Sequence, residues 1–108
     1  MNIKQVKVTE VGPRDGFQSE KTILNTEDKI DIINNLIDAG FPRIEVSSFV
    51  SPKAIPQLAD AATILEKVKR NHETTLAALV PNARGALRAV DAKLDEIVVF
   101  LSASESHN

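Results

Sequence analysis

The run Ile97-Val98-Val99-Phe100, inside a β-type segment at residues 96–101, limits the possible folds more than any other feature. A short, continuously apolar run suits a strand covered on both faces, as in a parallel sheet packed under helices. Three more β-type segments precede it, at residues 6–11, 43–47 and 74–80. The first alternates apolar and polar residues from Val6 to Val11.

Between these segments the apolar spacing changes to a helical one. Asn25 or Thr26 can cap a helix whose first turn holds Glu27 and Asp28. Its stripe is Ile30, Ile33, Leu36 and Ile37, and Gly40 suits the left-handed residue after its end. After Pro56, Leu58, Ala62, Leu65 and Val68 recur at helical spacing, and Pro81-Asn82 can open a short helix carrying Leu87 and Val90. Gly12-Pro13-Arg14-Asp15-Gly16 reads as a turn-rich loop.

The order β-α-β-α-β-α-β predicts an α/β fold with a parallel sheet. An open doubly wound sheet and a (β/α)₈ barrel both use it. The first βα turn has neither a G-x-G-x-x-G nor a P-loop glycine pattern, which argues against a nucleotide-binding open sheet. A complete TIM barrel needs about 250 residues. The 108 residues are therefore expected to be the N-terminal part of a single barrel domain, roughly its first half, ending after the fourth strand.

Composition removes several function classes. Net charge is −2 with both signs interleaved, so no basic footprint for nucleic acid or an anionic membrane is present. There is no cysteine, hence no disulfide framework and no thiolate metal site in this stretch. No apolar run approaches the roughly 20 residues that span a bilayer, and the first residues lack a leader pattern, so a cytoplasmic location is expected.

In barrels of this kind the chemistry lies on the loops that follow the strands. Those loops hold Arg14-Asp15-Gly16-Phe17-Gln18, Ser47-Ser48-Phe49, Pro81-Asn82 and the polar stretch from Ser102 through His107 to Asn108. Asp15 offers an oxygen ligand to a hard divalent cation. Arg14 offers a permanent charge to a developing oxyanion. An alternative for both is a loop salt bridge, with Asp15-Gly16 making a turn. Glu45 interrupts an apolar strand and needs a partner such as Arg14, as a catalytic acid or as half of a structural ion pair. His107 lies on the catalytic side and is a candidate substrate contact. His72 falls in a helix-to-strand turn at the other end and reads as solvated.

The segment from Glu10 to Gln18, Glu-Val-Gly-Pro-Arg-Asp-Gly-Phe-Gln, closely resembles the opening signature of the 3-hydroxy-3-methylglutaryl-CoA lyase family. The likeness continues through Ile44-Glu45-Val46-Ser47-Ser48-Phe49-Val50-Ser51-Pro52-Lys53 and from Ile55 to Asp60. It recurs at Leu79-Val80-Pro81-Asn82 and Ser102-Ala103-Ser104-Glu105. Arg-Asp-Gly alone is shared with a wider metal-dependent barrel group, including isopropylmalate and homocitrate synthases, whose members typically carry Thr-Leu before the Arg. Gly12-Pro13 and the Ser48-Phe49-Val50-Ser51-Pro52 block favour the lyase branch. Phe17 stands where many members have Leu.

The resemblance implies cleavage of 3-hydroxy-3-methylglutaryl-CoA to acetyl-CoA and acetoacetate with Mg²⁺ or Mn²⁺, in leucine degradation and ketone-body formation. It implies Asp15 as a metal ligand, Arg14 as the stabiliser of the enolate oxygen and Glu45 as a catalytic acid near the site. Gln18 and Ser48 then line the substrate pocket. The implied partners are an acyl-CoA substrate and further copies of the chain in a homo-oligomer. The family's His-x-His metal pair, its Asn ligand and its catalytic Cys are expected beyond Asn108, so the 108 residues alone are expected to be inactive. Two alternatives stay open: a related acyl-CoA lyase or aldol-type carboxyltransferase, and a non-catalytic half-barrel scaffold.

Overall fold

The computed structural model describes residues 5–104. Its strands are β1 (Thr9–Glu10), β2 (Arg43–Ser48), β3 (Thr75–Leu79) and β4 (Glu96–Val98). They form one parallel sheet in the order β1-β2-β3-β4. The helices are α1 (Thr26–Asp38), α2 (Ala61–Lys67) and α3 (Ala83–Asp91), one after each of the first three strands.

Strand order decides between the two architectures left open by the sequence. A doubly wound sheet reverses direction near its first strand and takes helices on both faces. Here the order runs one way, and all three helices share one core. Ile30, Ile33 and Ile37 of α1, Ile64 and Leu65 of α2 and Ala89 of α3 pack with Ile44 and Val46 of β2 and Leu76 and Ala78 of β3. Alternation sends Arg43, Glu45 and Ala77 to the opposite face. One side of the sheet is therefore helix-covered and the other is the concave side of a partial barrel.

Helix ends follow the expected chemistry. Asn25 caps α1 by accepting from the Asp28 amide at 2.8 Å, and Asn82 caps α3 by accepting from the Gly85 amide at 2.8 Å. Gly40 takes the left-handed conformation after α1, with φ 89°. Lys93 takes it after α3, φ 60°, at the steric cost that a side chain brings.

Four details differ from expectation. β1 is two residues long, and Val6 and Val8 lie exposed outside it, because it pairs with β2 alone. β4 stops at Val98, and Val99, Phe100 and Leu101 are exposed past its pairing with β3. Residues 12–16, expected as a loop, form a π-helical turn, with Pro13 buried at its start and the Phe17 amide bonding back to the Gly12 carbonyl. Helix faces also move. The segment after Pro56 is first a 3₁₀ turn, and α2 buries Ala61, Ile64 and Leu65 while Ala62 is exposed. In α3, Leu87 and Val90 are 69% and 71% exposed, and Gly85 and Ala89 face inward. The reason is close approach: a Cβ on Gly85 would stand 2.7 Å from the Phe49 carbonyl oxygen, so only the small-residue face fits.

Candidate active site

The π-helical turn after β1 aims Arg14 across the top of the sheet. Two backbone bonds hold its start: the Arg14 and Asp15 amides donate to the Val11 carbonyl at 3.1 and 2.7 Å. Glu10 adds a third, accepting from the Gly12 amide at 2.9 Å. From this base the Arg14 Nε donates to Glu45 Oε1 at 3.1 Å. Both side chains are largely enclosed, at 19% and 10% exposure. The partner that Glu45 needed is therefore Arg14. Arg14 Nη1 also reaches Asp15 Oδ1 at 3.3 Å, but the Asp15 side chain is 63% exposed.

A register shift in β2 completes the arrangement. Glu45 pairs with Ala77 and Ser47 with Ala78, so one residue of β2 is extra between them. In an unbroken strand, residues 45 and 48 would point to opposite faces. The bulge removes that opposition. Glu45 and Ser48 consequently line the same cleft, of about 470 Å³, together with Arg14 and Gln18. Val50, Ile55, Leu79, Pro81, Val98 and Phe100 form its apolar remainder. Ser47, beside the bulge, is fully buried, and its hydroxyl is the one buried side-chain polar atom without a hydrogen-bond partner among the described residues.

Four of the six candidate residues thus meet in one cleft: Arg14, Gln18, Glu45 and Ser48. Asp15 stands beside Arg14 and does not line it. His107 lies outside the described residues. His72 is exposed in the turn before β3, at the opposite end of the strands. Among the described residues, no three His, Cys, Asp or Glu side chains group to hold a metal. Asp15 fits a divalent cation as one exposed oxygen donor of a larger set.

Sequence reasoning missed two polar clusters. Arg43, at the foot of β2, donates to Glu96 of β4 at 2.6 Å and to Thr9 of β1 at 3.3 Å, tying strand starts together on the concave side. Lys29, inside the apolar stripe of α1, is buried and bonds the Gln57 carbonyl and Asp60. A lysine one position before Ile30, four before Ile33 and eight before Ile37, was the available signal.

The profile of the HMGL-like family matches residues 5–108. The chain belongs to that family. It is 50% identical over 97% of its length to a hydroxymethylglutaryl-CoA lyase of Bacillus subtilis, covering 35% of that protein. It is 44% identical, over 98% of its length, to a Pseudomonas aeruginosa lyase named for both 3-hydroxy-3-isohexenylglutaryl-CoA and the hydroxymethyl compound, covering 36% of it. An HMG-CoA lyase from Acinetobacter baumannii, solved with coenzyme A and 3-methylmalate, superposes with a TM-score of 0.94 at 47% identity. The match takes in all of this chain and 36% of that one. The parallel sheet is therefore part of a lyase TIM barrel, and the chain spans about a third of the length of these relatives. No helix among the described residues is long and apolar enough to cross a membrane.

Proposed function

We propose that this chain carries one side of the active site of a carbon–carbon lyase that cleaves 3-hydroxy-3-methylglutaryl-CoA to acetyl-CoA and acetoacetate, as the N-terminal part of a single barrel domain. The observation that carries the reading is the convergence of Arg14, Gln18, Glu45 and Ser48 on one cleft at the ends of successive strands. Family membership and the coenzyme A complex of the Acinetobacter relative support the acyl-CoA class.

Cleavage requires loss of the C3 hydroxyl proton, rupture of the C2–C3 bond and protonation of the thioester enolate that departs. Arg14 is the stabiliser of the enolate oxygen, because its charge persists at any working pH and its fork of donors is planar. Glu45 fixes that fork through Nε, Asp15 meets Nη1, and Nη2 is left to face substrate. Gln18 and Ser48 supply neutral hydrogen bonds in the cleft, and Val50, Ile55 and Leu79 belong to its apolar lining. Asp15 is the ligand this chain offers to Mg²⁺ or Mn²⁺, which, when bound, lowers the pKa of the substrate hydroxyl. His107 is assigned to substrate contact, and the remaining donors to the two thirds of the protein that the relatives possess beyond the matched region. A homo-oligomer and a cytoplasmic location complete the reading.

A larger C3 substituent is the second possibility. The apolar residues lining the cleft and the isohexenyl substrate named for the Pseudomonas relative favour it. The test is direct: full-length protein with Mg²⁺ is supplied with each thioester, and acetyl-CoA release is measured. Cleavage of neither would remove the lyase reading.

A further inference from the structure

A lysine that is 2% exposed in a helix core needs a reason to be there. Burying an ammonium is costly, and an apolar residue of similar volume would serve packing at least as well. Lys29 sits in the first turn of α1, and its Nζ donates to Asp60 Oδ1 at 2.9 Å and to the Gln57 carbonyl. Thr26, also in that turn, donates to the other oxygen of Asp60 at 2.6 Å. Gln57 Nε2 donates to the Glu20 carbonyl at 3.1 Å. Every one of these bonds crosses from the β1–α1 connection or the start of α1 to residues 57–60. Those residues end the β2–α2 connection.

The two connections form the two sides of the cleft: Gln18 comes from the first, Val50 and Ile55 from the second. We propose that Lys29 is a positioning residue, a buried latch that holds the β2–α2 connection against the β1–α1 connection and so sets the width of the substrate cleft. This rests on the reading of that cleft as the acyl-CoA site. Arg14 and Glu45 are joined to each other directly and do not depend on the latch. Its loss should therefore act on substrate binding more than on bond cleavage.

The experiment compares full-length wild type with Lys29→Met and Asp60→Asn, well below their melting temperatures. Amide hydrogen exchange and steady-state kinetics with 3-hydroxy-3-methylglutaryl-CoA are both read. Residues 49–60 contain reporting amides, including Ala54, Ile55, Leu58 and Ala59, all hydrogen-bonded within the connection. Lys29→Met is expected to speed exchange there without changing the β2 and β3 amides, and to raise KM about tenfold with kcat within about threefold. If Lys29→Met fails to fold, Asp60→Asn decides, because it weakens the ion pair of Lys29 at its partly exposed partner and keeps the shape of the side chain. Faster exchange in the same segment and a KM raised about threefold are then expected. A lower melting temperature with unchanged exchange and unchanged KM would reduce Lys29 to a core ion pair and overturn the proposal. Should the wild type cleave no thioester, the proposed function fails, and the exchange comparison still decides whether the latch exists.

Discussion

Arg14 and Glu45 are 31 positions apart in the chain, yet their side chains meet at 3.1 Å between the turn after β1 and β2, in the lining of the cleft. Each satisfies a charge that would otherwise be costly so far from solvent. The pair is the fixed point around which Gln18, Ser48 and the apolar wall are arranged.

Glu45→Gln tests this relationship. The substitution keeps shape and removes the charge that orients the guanidinium. In the full-length protein we expect kcat to fall about 10²-fold, from loss of preorganisation. Stability should fall by about 1–3 kcal/mol, the cost of a lost hydrogen bond to a charged group. Stopped kinetics beside a denaturant titration measures both.

Asp15→Asn should behave differently. The Asp15 side chain is 63% exposed, and its ion pair with Arg14 is long, so stability should change by no more than about 0.5 kcal/mol. Affinity for Mn²⁺ in the full-length protein should fall together with activity. Unchanged affinity in a calorimetric titration would remove Asp15 from the ligand set.

Gly85→Ala sets two effects against each other. Alanine in a helix interior is favoured over glycine by about 1 kcal/mol. Here the new Cβ would stand 2.7 Å from the Phe49 carbonyl oxygen, which is backbone and cannot swing aside. Overpacking of this kind costs about 1–3 kcal/mol, so the clash should win. A net loss of stability is expected, with reduced activity, since Phe49 follows Ser48 directly. A stabilised variant would mean that α3 can retreat from the sheet.

The fold was legible to the extent that each element carries its own pattern. Asn25 and Asn82 announced two helix starts, Gly40 one helix end, and the strand spacing a parallel sheet. Helix faces were less legible. Leu87 and Val90 are the large apolar residues of the third helix yet lie exposed, because the approach of the Phe49 carbonyl to Gly85 is a tertiary fact that local spacing does not encode. The turn at residues 12–16 hid its helical character behind two glycines and a proline, residues that usually punctuate loops. In the site, Glu45 advertised itself as a carboxylate inside an apolar strand. The bulge that brings Ser48 to its side left no such mark, because a register shift depends on the neighbouring strand. Lys29 was hidden for a similar reason: its partners, Gln57 and Asp60, lie 28 and 31 positions away.

The most direct test of the account is the kinetics of Arg14→Lys in the full-length protein, read beside its melting curve. Lysine retains the charge and loses the planar fork that binds Glu45 and that, in the proposed function, serves the enolate oxygen. The account predicts a kcat lower by about 10²–10³-fold and little change in KM, with a fall in melting temperature no larger than that of Glu45→Gln, which breaks the same bond. A near-normal kcat, with any damage confined to stability or metal affinity, would contradict it and leave Arg14 as the structural partner of Glu45 and Asp15.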